Sequence, residues 1–279
     1  MRGEKGSREN PILFSMVPAK DTRTLMLHGE EFSKWMEKET GLHFQVTVPT
    51  SYIAVVEAFG SKRVDIAYLN TTSYFLAQEK YQVEAEFITL NRDGSNHYKG
   101  QFIVRADSKI KKLEDIKGKK IAYVDPTSAS GYILPAFMLK QKAIKPAQEV
   151  FAGKHDSVVS MVYQKQVDVG ATFYSIPEDG EIRDARSLVR TQYPDVEEKI
   201  KVLAYTPSLM NDAVVFRSDL DEALKEKLIK AIEKWIQTPE GKVTLKALSN
   251  GSNLRRVKES EYSESRKIIK EMARSLGQK

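Results

Sequence analysis

The sequence predicts an α/β protein of two similar lobes, each a mainly parallel sheet flanked by helices, joined by two hinge strands. Three observations predict it. Apolar strand-like runs alternate with helical patterns across short connections, which calls for parallel strands with helices packed on both faces. A helix–strand unit also recurs at a fixed distance: Tyr52-Ile-Ala-Val55-Val56 with Val64-Asp65-Ile66-Ala67 matches His155-Asp-Ser-Val158-Val159 with Val167-Asp168-Val169-Gly170, 103 residues further on and without a gap. The length of 279 residues, finally, is more than one typical core needs. Repetition of a whole unit implies two like lobes facing each other across a cleft; the competing reading is a chance match between two generic amphipathic units.

Taken in order, Ile12 to Val17 is an apolar strand stopped by Pro18, and a helical pattern through Leu25, Leu27, Phe32, Trp35 and Met36 ends at Gly41. Phe44 to Val48 is the next strand, closed by Pro49, after which Thr50 or Ser51 caps a helix carrying Val55, Val56, Ala58 and Phe59. Val64 to Leu69 follows as a buried strand. The second lobe opens near Leu113, turns at Gly118 and enters the strand Ile121 to Val124. Phe102 to Arg105 and Val202 to Tyr205 stand where two crossovers between lobes are needed, and are the hinge candidates. Asp212 to Phe216 returns to the first lobe, a helical stretch runs from Leu220 to Gln237, another follows Pro239 towards Leu248, and Glu261 to Leu276 reads as a last amphipathic helix. The boundaries are therefore 1–10 as a disordered tether, 11–104 and 205–279 as the first lobe with the C-terminal helices, and 105–204 as the second lobe.

Composition excludes several classes. Hydrophobic residues are 41% and charged residues 29%, an ordinary globular balance. The net charge of +6 arises from cations scattered among nearly as many acids, and no zinc-finger spacing or aromatic RNA-binding signature accompanies it, so nucleic acid is not an expected partner. Without cysteine there is no disulfide, thiol nucleophile or cysteine metal site. No Walker loop, His-Glu-x-x-His, Gly-x-Gly-x-x-Gly or Gly-x-Ser-x-Gly elbow occurs, and Ser130 with the adjacent His155-Asp156 lacks the spacing by which one side chain orients the next in a catalytic triad. Neither catalysis nor a cofactor is expected. No run is long and apolar enough for a membrane span, and Met1 to Asn10 lacks the apolar centre of a signal segment, so the chain is either cytoplasmic or lacks a removed leader.

The strongest local signal is Asp125-Pro126-Thr127-Ser128-Ala129-Ser130-Gly131-Tyr132, a turn of small polar residues between a buried strand and a helix. A helix start leaves backbone N–H groups unpaired and carries partial positive charge, and small side chains let an oxyanion approach. The plainer reading is an N-cap serving only the helix. The repeat sets Tyr52 and His155 at matching helix starts, and both are able to hydrogen-bond an oxyanion. Tyr98 follows a turn just ahead of the first hinge candidate. Asn70-Thr71-Thr72 leaves the carboxyl end of a strand, either as ligand contacts or as a polar loop cap. His28 and His43 read as structural.

Ile-Ala-Tyr-Val-Asp-Pro-Thr-Ser-Ala-Ser-Gly-Tyr at 121 to 132, the His155-Asp-Ser-Val-Val segment, and Tyr52 with Val64-Asp-Ile-Ala-Tyr-Leu resemble the phosphonate, phosphite and phosphate binding proteins of ABC importers, from about Pro11 to Gln237. The resemblance implies a type II periplasmic binding fold that closes on its ligand, a membrane permease as partner, a monomer, and a periplasmic or lipid-anchored location. It further implies that Tyr52, Ser128, the Ala129 N–H, Ser130 and His155 hold the head group, that Tyr98 closes the site, and that Asp212 meets a protonated oxyanion or a ligand amine; Thr127, in the same turn, joins the candidate set. Relatives often carry Thr where Ala129 stands, so one hydroxyl is missing. Binders of aminoethylphosphonate carry a second acid in the loop after the Val-Asp strand; that loop here reads Thr172-Phe173-Tyr174-Ser175, with Tyr174 joining the candidate set and no carboxylate. The expected ligand is phosphite, phosphate or a short alkylphosphonate. Other small anions such as aminoethylphosphonate or a sulfonate, a sensor domain, a transcription-factor effector domain, and an enzyme on a bilobal frame are the alternatives.

Overall fold

A computed structural model describes residues 3–249 and 251–277. The first unit begins with β1 (Ile12–Met16), α1 (Thr22–Thr40), β2 (Phe44–Thr47), α2 (Tyr52–Gly60), β3 (Ile66–Leu69), α3 (Thr71–Tyr81) and β4 (Glu84–Leu90). The chain then builds the second unit from β5 (His97–Arg105), β6 (Lys120–Tyr123), α4 (Leu134–Gln141), β7 (Gln148–Phe151), α5 (His155–Tyr163), β8 (Val169–Tyr174), α6 (Val196–Lys199) and β9 (Ile200–Met210). It returns as β10 (Ala213–Phe216), α7 (Glu222–Trp235), α8 (Pro239–Ser249) and β11 (Asn253–Arg256), and ends in α9 (Ser263–Ser275). Residues to Asn96 with Asn211–Tyr262 form one compact unit; His97–Met210 with the chain from Ser263 form the other.

Each unit has its own sheet. The first is six-stranded, in the order β11-β4-β10-β3-β1-β2, and the second five-stranded, in the order β7-β6-β8-β5-β9. In each, the repeated strands pair in parallel, β1 with β2 and β3, and β6 with β7 and β8. The neighbours on the far side, β10 and β5, run antiparallel. The sheets are thus mixed rather than mainly parallel, because β10 and β5 enter their sheets from the opposite end.

The internal repeat holds residue by residue. α2 and α5 begin and end at positions 103 apart, and Lys62 and Lys165, at the same spacing, both take a left-handed conformation. The repeated Val-Asp pair has a physical purpose in both units. Asp65 donates its N–H to Leu13 O (2.8 Å) and accepts the Leu13 N–H on its carboxylate (2.8 Å), and Asp168 makes the same two bonds with Lys120 (both 2.9 Å). Each aspartate closes the end of a parallel strand pair whose next donors and acceptors have no ladder partner, which fixes the register.

Two cores fill the units. Phe14, Phe32, Met36, Phe87, Phe216 and Trp235 anchor the first; Phe102, Ile116, Ile121 and Tyr123 anchor the second. Full burial of such a side chain is worth about 1.5–3 kcal/mol, and α1, α7 and α8 bury their apolar stripes against the first sheet.

Three expectations change. Of the predicted tether, residues 1 and 2 lie outside the described residues, but 3–10 form a turn: Gly6 donates to Asn10 O (2.7 Å), its carbonyl accepts from His43 N–H (2.8 Å), and Lys5 Nζ pairs with buried Asp65 (2.5 Å). Backbone pairing and one ion pair hold this segment without any core residue, so composition could not reveal it. The hinge candidates Phe102 to Arg105 and Val202 to Tyr205 lie inside the paired ladder of β5 and β9. The chain passes between units at the outer ends of those strands, at Asn96–His97 and Met210–Asn211, since ladder residues are the least free to change backbone angles. The C-terminal helix α9 groups with the second unit: Ile269 is buried, Leu276 packs on that core, and Lys140 Nζ donates to Ser275 O.

Candidate functional site

Within the second unit the polar turn runs from β6 into a π-helical first turn, Ala129–Ile133, continuous with α4. Asp125 Oδ1 accepts the Thr127 N–H (2.8 Å) and hydroxyl (2.7 Å), which starts the turn, and Ser128 N–H donates to Asp125 O (2.9 Å). Ser128 then caps the helix, its Oγ accepting the Gly131 N–H at 3.1 Å while its carbonyl accepts from Tyr132 and Ile133 (both 3.0 Å). That leaves the Ala129 and Ser130 N–H groups in the first turn, where a helix offers no internal acceptor, together with the Ser128 and Ser130 hydroxyl hydrogens. All three of Ser128, Ala129 and Ser130 are buried.

Two glycines permit this geometry. A Cβ on Gly131 would stand 2.4 Å from Val124 Cγ2, and one on Gly100 of β5 would stand 2.7 Å from Ser130 O. Here the turn is pressed against the sheet from two sides, so its amides are held in place by packing as well as by the cap.

His155 opens α5 and is 5% exposed, its Nδ1 2.7 Å from Thr172 Oγ1 and its ring edge-on to Phe173 at 4.9 Å. Thr172 is fully buried in β8, and its ladder partner Gln101 is a fully buried polar side chain. Thr172 thus orients His155 through the Nδ1 contact. Tyr98 lies half-buried at the start of β5, one residue beyond the Lys99–Tyr174 pair, at the same end of the sheet. Tyr174 ends β8 and packs on Tyr205 (4.6 Å between ring centroids); burial, then Tyr205, raises its phenol above the ordinary value. The expected loop at Thr172 to Ser175 is strand as far as Tyr174, and the loop that follows carries Glu178, ion-paired to Arg183 at 3.4 Å.

The first unit gathers its candidates at the corresponding end of its own sheet. Tyr52, 1% exposed, opens α2, whose start is capped by Ser51 Oγ accepting from Ala54 N–H (3.3 Å). Asn70 precedes α3 and its carbonyl accepts from Tyr74 N–H (2.9 Å); Thr71 is buried beside it. Asp212 sits directly before β10, half-buried, at the end where Ala213 pairs with Leu69. Burial pushes its carboxyl up to about 7, against the pull of Lys20. Lys20, in the β1–α1 connection, is 7% exposed, donates to Ala247 O at 2.9 Å, and is lowered to about 8 by burial, against the pull of Asp212.

The sequence reading missed Lys20, Thr172 and Gln101. A signal existed for each: a cation following the first strand of a unit, and two polar residues in strands otherwise rich in apolar and small side chains. A helix also follows the first parallel-paired strand of each unit, α1 after β1 and the π-helical turn with α4 after β6. Asp21 caps α1 by accepting the Thr24 N–H (2.9 Å), just as Ser128 caps the N–H three residues on. The cap after the first strand is therefore an acid in the first unit and a neutral hydroxyl in the second.

Comparison with known proteins bears on this arrangement. A family model described as ABC transporter, phosphonate, periplasmic substrate-binding protein matches residues 14–262. The chain is 26% identical over 249 residues to the phosphonates-binding periplasmic protein of Escherichia coli K12, covering 86% of this chain and 71% of that one. It is 28% identical over 175 residues to the phosphate-import protein of Mycolicibacterium smegmatis, covering 58% and 54% respectively. Among solved structures, a binding protein component of an ABC phosphonate transporter from Pseudomonas aeruginosa superposes with a TM-score of 0.83 at 23% identity, covering 95% of this chain and 87% of that one. PhnD1 from Prochlorococcus marinus in complex with methylphosphonate superposes with 0.79 at 20% identity, covering 96% and 98%. These last two show the fold.

Proposed function

Because this chain belongs to the periplasmic phosphonate substrate-binding proteins of ABC transporters, we propose that it captures phosphite, phosphate or a short alkylphosphonate and delivers it unchanged to a membrane permease. The observation that carries the reading is the π-helical turn, with the Ala129 and Ser130 N–H groups, the Ser128 and Ser130 hydroxyls, and oriented His155 all at one end of the second sheet. Backbone amides, hydroxyls and an imidazole N–H are donors, and donors at a helix start suit a compact oxyanion. Charge-assisted bonds of this kind contribute about 1.5–3 kcal/mol each, so a handful exceeds the roughly 8 kcal/mol of a micromolar complex after association costs.

In this reading Thr127 shapes the turn through Asp125, and Tyr98 and Tyr174 border the anion. Tyr52, Asn70, Thr71 and Asp212 complete its shell once the units close. Closure is driven by the contacts that exist only in the closed state. No step of the reading makes or breaks a bond, and the protein works as a monomer in the periplasm or tethered to the cell surface by a lipid.

Titration calorimetry with phosphite, phosphate, methylphosphonate and sulfate tests the proposal. At least one phosphorus oxyanion is expected to bind and to raise the melting temperature by mass action. His155→Ala is expected to weaken it tenfold or more, and Thr172→Val to weaken it by a smaller factor through loss of the Nδ1 anchor. Binding of none of the phosphorus oxyanions, or unchanged affinity in His155→Ala, refutes it.

A further inference from the structure

We propose that Lys20 sets the specificity of the first unit's half-site, balancing Asp212 so that the protein takes oxyanions whose remaining substituent is uncharged and discriminates against an aminoalkyl tail. This rests on the phosphorus-oxyanion reading above and deepens it.

The geometry starts from the β1–α1 connection. Lys20 stands one residue before the cap Asp21, at the carboxyl end of β1, yet it does not extend into solvent: its residue is 7% exposed and Nζ donates to the Ala247 carbonyl at 2.9 Å. The chain just beyond α8 packs on β4, whose backbone bonds to Asp212. A Cβ on Gly251 would stand 2.1 Å from Thr89 Cγ2, and the Thr89 N–H donates to Asp212 O at 3.0 Å. Buried Lys20 and half-buried Asp212 thus both lie towards this side of the first unit, and each is a charge that acts on the other. Tyr262 is fully buried and edge-on to Tyr74 (4.9 Å) and Phe75 (5.9 Å) of α3; its hydroxyl has no hydrogen-bond partner among the described residues, and the Asp212 charge reaches it.

An ammonium group brought to this side needs an unbalanced carboxylate. Burial draws Asp212 towards its neutral form and Lys20 already acts on what charge it keeps, while the incoming cation meets a second cation in surroundings too dry to screen the repulsion. A P–H or P–CH₃ substituent incurs neither cost, and a P–OH donates to Asp212. Discrimination therefore comes from a repulsive element placed beside an attractive one.

The test measures dissociation constants at neutral pH for methylphosphonate and 2-aminoethylphosphonate on the wild-type protein, Lys20→Met and Lys20→Arg, with phosphite and phosphate as controls. The wild-type protein is expected to favour methylphosphonate at least tenfold. Lys20→Met is expected to shrink that ratio at least tenfold by gaining affinity for the amino ligand, and Lys20→Arg to keep it. Should Lys20→Met fail to melt cooperatively, the ratios of the wild type and Lys20→Arg decide, since both must exclude the amino ligand. Equal or tighter binding of the amino ligand by the wild type, or a ratio in folded Lys20→Met within twofold of the wild type, overturns the inference while leaving the oxyanion reading intact. Absence of binding to all four ligands overturns the oxyanion reading itself, and the inference with it.

Discussion

Gly131→Ala changes one hydrogen into a methyl at the position where the π-helical turn is closest to the sheet. The new Cβ would stand 2.4 Å from Val124 Cγ2, 2.7 Å from Val124 Cβ and 2.8 Å from Ser128 Oγ, all shorter than a van der Waals contact. Val124 is fully buried and its N–H donates to Gly131 O at 3.1 Å, so it cannot swing away without breaking that bond. Overpacking of this kind costs about 1–3 kcal/mol, and displacing Ser128 Oγ from the Gly131 N–H costs about 1 kcal/mol more as a lost cap. For a protein of this size each kcal/mol lowers the melting temperature by roughly 2–4 °C, so a fall of about 5–12 °C is expected. The same shift moves the Ala129 and Ser130 amides, and losing the alignment of even one charge-assisted bond weakens oxyanion binding about tenfold or more. Thermal melting and titration calorimetry read the two effects separately. Val124→Ala in the same chain removes the methyls that clash, so the double variant should recover part of both losses, a coupling that two independent substitutions would not show. Wild-type melting and affinity in Gly131→Ala, or a double variant no better than the sum of the single ones, would refute the packing argument.

The repeated aspartates should differ in weight: Asp65 is fully buried and pairs with Lys5 and Arg217 (2.5 and 3.1 Å), whereas Asp168 makes the same strand clamp in an exposed position. In urea denaturation Asp65→Ala is expected to cost about 3–5 kcal/mol and Asp168→Ala about 1 kcal/mol, and equal losses would show that the ion pairs add nothing. Asp212 carries a pH signature, because its folded-state value, raised from 3.8 to about 7, makes its stability contribution complete below about pH 4 and lost as pH rises through 7. Lys20, lowered from 10.5 to about 8, contributes stability present above 10.5 and lost as pH falls through 8, so its contribution is constant between pH 5 and 7. Asp212→Asn should therefore gain in melting temperature relative to wild type between pH 5 and pH 7, and a difference that does not change with pH would remove Asp212 from its buried setting.

The repeat was legible because it rests on local chemistry that each unit needs by itself: a helix of fixed length, a left-handed lysine after it, and an aspartate that closes a strand pair. Ser128 to Gly131 was legible as a capped helix start for the same reason, since a small hydroxyl residue between a buried strand and a helix is a local capping signal. Residues 3–10 were not, because their anchor is a lysine whose partner, Asp65, is distant in the sequence. The crossovers were placed a few residues inside their true positions because strand-like composition does not distinguish a paired ladder from the connection leading into it. Lys20 escaped for a further reason. A lone lysine in a connection normally projects into water, and only the carbonyl of Ala247, contributed by a helix from the end of the chain, holds it in the interior.

A helix follows the first parallel-paired strand of each unit, α1 in the first and the π-helical turn leading into α4 in the second, so each unit brings a helix start to the carboxyl end of its strands. Their caps separate them. Asp21 puts a full negative charge on the first helix start, which satisfies its own amide and repels an oxyanion, whereas Ser128 satisfies the Gly131 amide with a neutral oxygen and leaves the neighbouring donors to a ligand. The first unit then carries Lys20 against Asp212, each charge acting on the other and both weakened by burial. In the reading proposed above, this asymmetry assigns attraction to the turn of the second unit and leaves Lys20 and Asp212 of the first unit to select among the substituents of the guest.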